Sequence, residues 1–175
     1  MKKSINLWQL GGFIATSILG TLLHFLYDWT NKATWSALFS GVNESTWEHM
    51  KLLFFPAFFF AIVQSFSFCE RKDFWCVKLK GTLLGLALIP LIFYTYNGVI
   101  GKSPDWVNIT IFFVSAASVY LYEWNLFTKV NARCKHPKTA FLSLCVIALL
   151  FVLFTFRTPE LNIFKDPITN TYGIQ

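Results

Sequence analysis

The stretch TAFLSLCVIALLFVLFTF, residues 139–156, contains no charged side chain. A run of about 20 predominantly apolar residues, coiled as a helix, is what crosses the hydrocarbon core of a bilayer. Four further windows meet the same requirement, at about residues 7–27, 47–68, 79–99 and 106–127. Composition agrees with this reading. Of 175 residues 55% are hydrophobic and 14% charged, with 20 Phe and 7 Trp. A soluble domain carries about 25% charged residues, and a soluble fold of this length could not hide so much apolar surface. In lipid the backbone must satisfy its own hydrogen bonds, which leaves helices as the spanning element here. The predicted fold is therefore all-α: a polytopic transmembrane bundle of about five helices in residues 1–156, with the lipid bilayer as its surroundings. An interfacial segment is expected at about residues 29–45, and residues 157–175 form an extracytoplasmic tail.

The basic residues orient the bundle. Lys2 and Lys3 precede the first span. Arg71, Lys72, Lys78 and Lys80 lie between the second and third, and Lys129, Arg133, Lys135 and Lys138 between the fourth and fifth. All three segments fall on one side of a five-span chain. Asp28, Glu44, Glu48, Asp105, Glu160 and Asp166 fall on the other. The positive-inside rule then predicts the N-terminus inside and the C-terminus outside. The net charge of +6 follows from these loops, where anionic lipid attracts it. No zinc-finger spacing or basic groove points to nucleic acid. Lys2 and Lys3 before an apolar run also resemble a signal peptide, but the run is long and lacks a small-x-small cleavage site, so a retained helix is expected. Cys69, Cys76, Cys134 and Cys145 form no C-x-x-C pair. The first three fall on the expected cytoplasmic side, where reduced thiols are the rule.

Within the first outer loop, Trp35, Leu38 and Phe39 have the spacing of a short helix lying in the membrane interface, ended by Gly41. Pro56 and Pro90 fall inside the second and third spans, where each removes a backbone donor. Most of the available chemistry lies at the outer level. His24 and Asp28 are one turn apart on one helical face. Asn43, Glu44, Glu48 and His49 open the second span. These two segments flank a single loop, so His24, Asp28, Glu44, Glu48 and His49 are expected to meet. Imidazoles and carboxylates are the ligand types of zinc, manganese or iron sites, and His24, Asp28, Glu48 and His49 are the expected ligands of a divalent metal such as zinc. Capping accounts for part of the same string. Ser45-Thr46-Trp47-Glu48 has the form of a capping box, and Lys51 is placed to pair with Glu48. Tyr94 and Asn97, near the outer end of the third span, are candidates for lining the same pocket, as are Tyr96, Asn108 and Arg157; for the tyrosines the alternative, and more frequent, reading is an interfacial aromatic belt. Glu123 sits toward the opposite side, with Lys129 or Arg133 as its expected partner, and His136 is expected in solvent. No G-x-S-x-G, P-loop or dinucleotide fingerprint occurs.

The string from Asn43 to Lys51, preceded by His24 to Trp29, resembles a family of small bacterial multi-pass membrane proteins with a domain of unknown function. The tail from Phe164 to Ile174 is similar to that family's D-P-x-T-x-x-Y-G-I ending. The resemblance spans most of the chain. It implies a multi-pass protein of the bacterial inner membrane with an ordered tail, and carries no assigned activity.

Three functions fit these residues. The first is an outward-facing acidic and histidine pocket of His24, Asp28, Asn43, Glu44, Glu48, His49, Tyr94 and Asn97 that binds or transports a small polar or cationic solute. The second is a metal-dependent membrane hydrolase acting at the outer leaflet. The third is a non-catalytic structural or regulatory subunit, associated with a partner or with further copies of the chain. Transport would require a second polar layer toward the cytoplasm, for which Glu123 is the candidate.

Overall fold

The computed structural model describes residues 2–129 and 134–174, so Arg133 of the basic loop lies outside the described residues. Helix α1 runs Lys2–Trp29, the short α2 Thr34–Ala37, α3 Thr46–Ser67, α4 Phe74–Val99, α5 Asp105–Thr128 and α6 Pro137–Phe156. Five of these are long and apolar enough to cross a membrane, and the chain is a multi-pass membrane protein. Among the described residues the one further helical element is a 3-10 turn, Asn162–Phe164.

Local sequence sets the helix ends. Asn31 and Lys32 take left-handed backbone conformations, which stop α1 and let the Lys32 amide bond the Tyr27 carbonyl at 2.9 Å. Ser45 caps α3, its hydroxyl accepting from the Glu48 amide. Pro137 opens α6 at a position where a helix needs no amide donor. Pro56 and Pro90 lie within α3 and α4, and both helices continue through them.

Helices α1, α3, α4 and α5 pack as a four-membered ring, each against its two neighbours, and α6 lies outside against α4 and α3. Helix α3 is the most buried span and α6 among the least. Its residues Leu53, Phe54 and Phe55 meet Leu86, Ile89, Val119 and Phe151 in the core. Glycines permit the closest crossings, as is common between membrane helices. A Cβ at Gly20 of α1 would stand 2.9 Å from the Leu52 carbonyl oxygen of α3, and one at Gly81 of α4 would stand 2.6 Å from a Glu123 carboxylate oxygen of α5.

One end of the bundle, here the upper end, gathers the C-terminus of α1, α2, the N-terminus of α3 and the tail. The lower end holds Lys3, Arg71 and Lys129. There Cys76 and Cys134 are joined in a disulfide across 58 residues, while Cys69 is exposed and unpaired. The expectation of free thiols therefore fails for Cys76 and Cys134. Two cysteines 58 residues apart, Cys76 in the first turn of α4 and Cys134 ahead of α6, carry no pairing signal in their spacing, and only the docking of α4 against the segment before α6 brings them together.

Candidate functional site

The tail frames the upper end. Lys165 and Tyr172 pair as an isolated antiparallel bridge. Within that hairpin the Asp166 carboxylate accepts the Ile168 amide at 2.7 Å and the Thr169 amide at 3.2 Å. The same carboxylate reaches the Glu44 amide at 3.4 Å. The Asn43 side-chain amide donates to the Gly173 carbonyl at 2.9 Å, and its side-chain oxygen accepts the Ser45 amide at 2.9 Å. Gly173 holds φ at +70° with Thr158 pressed against it, which excludes a Cβ there. The Trp47 ring packs on Phe151 and Phe164, seating the tail on α3 and α6. The two strings singled out in the sequence thus lock onto each other.

Glu44 remains in the loop ahead of the α3 cap, and its carboxylate lies between two imidazoles. His24 Nε2 is 3.6 Å from one oxygen and His49 Nε2 is 3.5 Å from the other. The two rings stand 5.8 Å apart. One ligand atom from each of the three residues can be chosen so that all lie within 4.8 Å of one another. His49 Nδ1 faces the Ser45 carbonyl at 3.0 Å. If Nδ1 carries the proton, Nε2 is left with its lone pair toward Glu44, which is the usual second contact of a metal-binding histidine. The separations of 3.5 and 3.6 Å exceed the 2.7–3.2 Å of ordinary N–H···O hydrogen bonds. The two contacts fall on different oxygens of the carboxylate, so either oxygen can meet an ion held between the rings.

This triad stands at the edge of a largely apolar cavity of about 370 Å³. Gly20, Thr21 and Phe25 of α1 form one wall, and Ile109, Phe112 and Phe113 of α5 the other. Asp105, Asn108 and Ile168 of the tail also line it. A smaller void of about 20 Å³ adjoins Glu44 and His49 on the side of Ile89 and Phe93, room for about one water molecule. Below Gly20 the helices close, with the Tyr120 and Thr16 hydroxyls bonded at 2.6 Å.

The remaining expected site residues are distributed around the triad. Asp28 is exposed and outside the group of three. Glu48 is buried and committed elsewhere: its carboxylate pairs with Lys51, accepts the Val42 amide at 3.2 Å and faces the Thr155 hydroxyl at 3.3 Å. The capping box is half formed, since the Ser45 amide goes to Asn43 and not to Glu48. Tyr94 is exposed and stacks edge-on against Phe93. Asn97 acts at one remove, binding the Ser103 amide at 2.9 Å, while the Ser103 hydroxyl donates to Asn108 Oδ1 at 2.8 Å. His136 is exposed, as expected. Glu123 pairs not with Lys129 but with Lys78, at 2.6 Å. Sequence reasoning passed over Lys78 as a loop residue, because the apolar window begins one position later. The helix itself begins at Phe74, which draws Lys78 inside the bundle.

No curated protein and no solved structure is significantly similar to this chain. The motif strings that meet at the upper end do fall within a family model, and the chain belongs to a family of unknown function, DUF6512, whose model matches residues 1–174.

Proposed function

We propose that this protein binds a divalent transition-metal ion in an outward-facing membrane pocket, with His24, Glu44 and His49 as its ligands. The observation that carries this reading is a carboxylate set between two imidazoles at separations too long for hydrogen bonds and suited to a shared ion. Two imidazoles and one carboxylate suit zinc well, and such a set leaves a fourth coordination position for a ligand. Binding accounts for the geometry better than transport, because the bundle is closed below the cavity by Tyr120 and Thr16. Equilibrium dialysis of purified protein against Zn²⁺ will give one ion per chain. Glu44→Gln and His49→Ala will each weaken binding by more than the roughly 10–100-fold that loss of an outer-shell partner costs a metal site, whereas Asp28→Asn will leave it unchanged. Zinc well below one per chain in the wild-type protein would overturn the assignment.

A second reading, a membrane hydrolase acting at the outer leaflet, is favoured by the open fourth position beside the cavity. A metal-bound water there would need a carboxylate to take its proton, and Asp105 is the cavity-lining candidate. Ester turnover by zinc-loaded protein that is lost in Asp105→Asn while zinc is retained would select this reading.

The orientation rests on the three basic segments, which put the lower end in the cytoplasm of a bacterial inner-membrane protein. The Cys76–Cys134 disulfide argues the other way, since such links persist in oxidising compartments. The charge distribution has the greater weight here because three separate segments agree. Exposed Cys69 tests it. A membrane-impermeant maleimide will leave Cys69 unmodified in intact cells and label it after permeabilisation. Labelling in intact cells would invert the topology.

A further inference from the structure

The cavity beside the triad has the wrong walls for a solute that is polar throughout. Helices α1 and α5 touch from Asn6 and Trp124 up to Gly20 and Phe112. Above that crossing the cavity lies between them. Its aromatic and aliphatic wall residues stand on the flank of the bundle, with Phe25 45%, Ile109 58% and Phe113 37% exposed. These positions lie one to two turns inside the ends of spans that cross the membrane. Surface exposed there faces lipid, and a cleft between the two helices opens to the side, into the bilayer.

The polar end of the cleft has its own chemistry. Glu44 with two neutral imidazoles carries one negative charge, so a bound dication leaves the triad itself at net +1 with a coordination position unfilled, while the Asp105 carboxylate elsewhere in the cavity lining offsets part of that charge at longer range. On the α5 wall, Asn108 has its side-chain oxygen engaged by Ser103, and Ser103 is held by Asn97. That arrangement turns the Asn108 amide into a fixed hydrogen-bond donor at the cavity, its Nδ2 making no bond to a described residue. A cation and an amide donor at one end, with apolar walls leading to lipid, are complementary to a single-chain amphiphile with a carboxylate head. A volume of about 370 Å³ is at the lower end of the roughly 300–1,000 Å³ of small-molecule sites, suited to one acyl chain and not to a two-chain phospholipid.

We propose that the ligand of this pocket is a fatty carboxylate taken from the bilayer, its head on the metal-loaded His24–Glu44–His49 site and Asn108, its chain in the cleft between α1 and α5. The assignment rests on the metal-binding reading above, and its test keeps the two apart. Zinc-loaded protein in phosphatidylcholine nanodiscs is photolysed with a diazirine-bearing dodecanoic acid, or with the methyl ester of the same probe, and labelled peptides are mapped. The acid is expected to label residues 20–25 and 105–113 in preference to the equally lipid-exposed face of α6 at Leu142, Leu149 and Leu153. It should exceed the ester there about tenfold, the factor that corresponds to one good polar contact, and chelation of the zinc or His49→Ala should remove that excess. Labelling spread evenly over α6 and the cleft, or acid and ester labelling alike, overturns the amphiphile assignment while leaving the zinc stoichiometry intact. An acid preference that survives zinc removal overturns the metal-held head. Failure of wild-type protein to bind zinc is read separately by dialysis and removes the metal site itself.

Discussion

Lys78→Met will destabilise the bundle by about 3–5 kcal/mol, the cost of leaving one charge of a buried pair without its partner. Lys78 and Glu123 are both almost fully buried and lie 2.6 Å apart. The ammonium also sits over the Tyr120 ring, 5.2 Å from its centroid. Glu123 faces Gly81, where the missing side chain makes room for its carboxylate. The deleted ammonium therefore leaves a buried carboxylate between α4 and α5 without its charged partner. The double variant Lys78→Met, Glu123→Met is expected to recover most of the loss, because replacing both partners of a buried pair by apolar groups is often neutral. Thermal unfolding in detergent, followed by loss of the monodisperse species, measures both. A single variant within about 0.5 kcal/mol of wild type, the range of an ordinary surface change, would show that the pair is not buried as described.

The second large effect is expected at Lys51, which is fully buried. Its ammonium has three donors and three partners: the Glu48 carboxylate, the Ala37 carbonyl at 3.0 Å and the Thr155 hydroxyl at 2.9 Å. One side chain thus joins α2, α3 and α6. Lys51→Met removes all three bonds and strands Glu48, again at about 3–5 kcal/mol. Lys51→Arg will not rescue it, since a planar fork cannot reproduce three converging bonds to a point charge. Thr155→Val should cost less, about 1–3 kcal/mol, the range for one orphaned buried polar group. The consequence for the site is indirect. Glu48 also holds the Val42 amide, and Val42 lies two residues before Glu44. Loss of Lys51 should therefore loosen the loop that presents Glu44 and weaken zinc binding as well as stability. Unfolding and equilibrium dialysis on the same variant test that linkage, and full zinc affinity in a destabilised Lys51→Met would refute it.

The neighbourhood of the site was legible in the sequence, but the membership of the triad was not. Glu44 and Glu48 are four residues apart beside the same histidine, and nothing in their spacing separates a ligand from a structural anchor. The difference arises from where α3 begins. Ser45 caps the helix and leaves Glu44 in the loop facing His24, while Glu48, one turn in, lies on the same helical face as Lys51 and meets Thr155 from the far end of the chain. Glu123 was misassigned for a related reason. Lys129 is close in sequence, but Lys78 is close in space, brought there by the antiparallel packing of α4 and α5.

The five spans and their helical nature were determined by the sequence alone. They answer to the bilayer, which acts on each segment separately: apolar length and backbone hydrogen bonding are properties of about 20 consecutive residues. The partners of Glu44, Glu48 and Glu123, the Cys76–Cys134 link, the docking of the tail on Asn43 and the cleft between α1 and α5 were decided only by the tertiary structure. Each depends on the distance between residues far apart in the chain, and that distance is set by how the helices pack against one another.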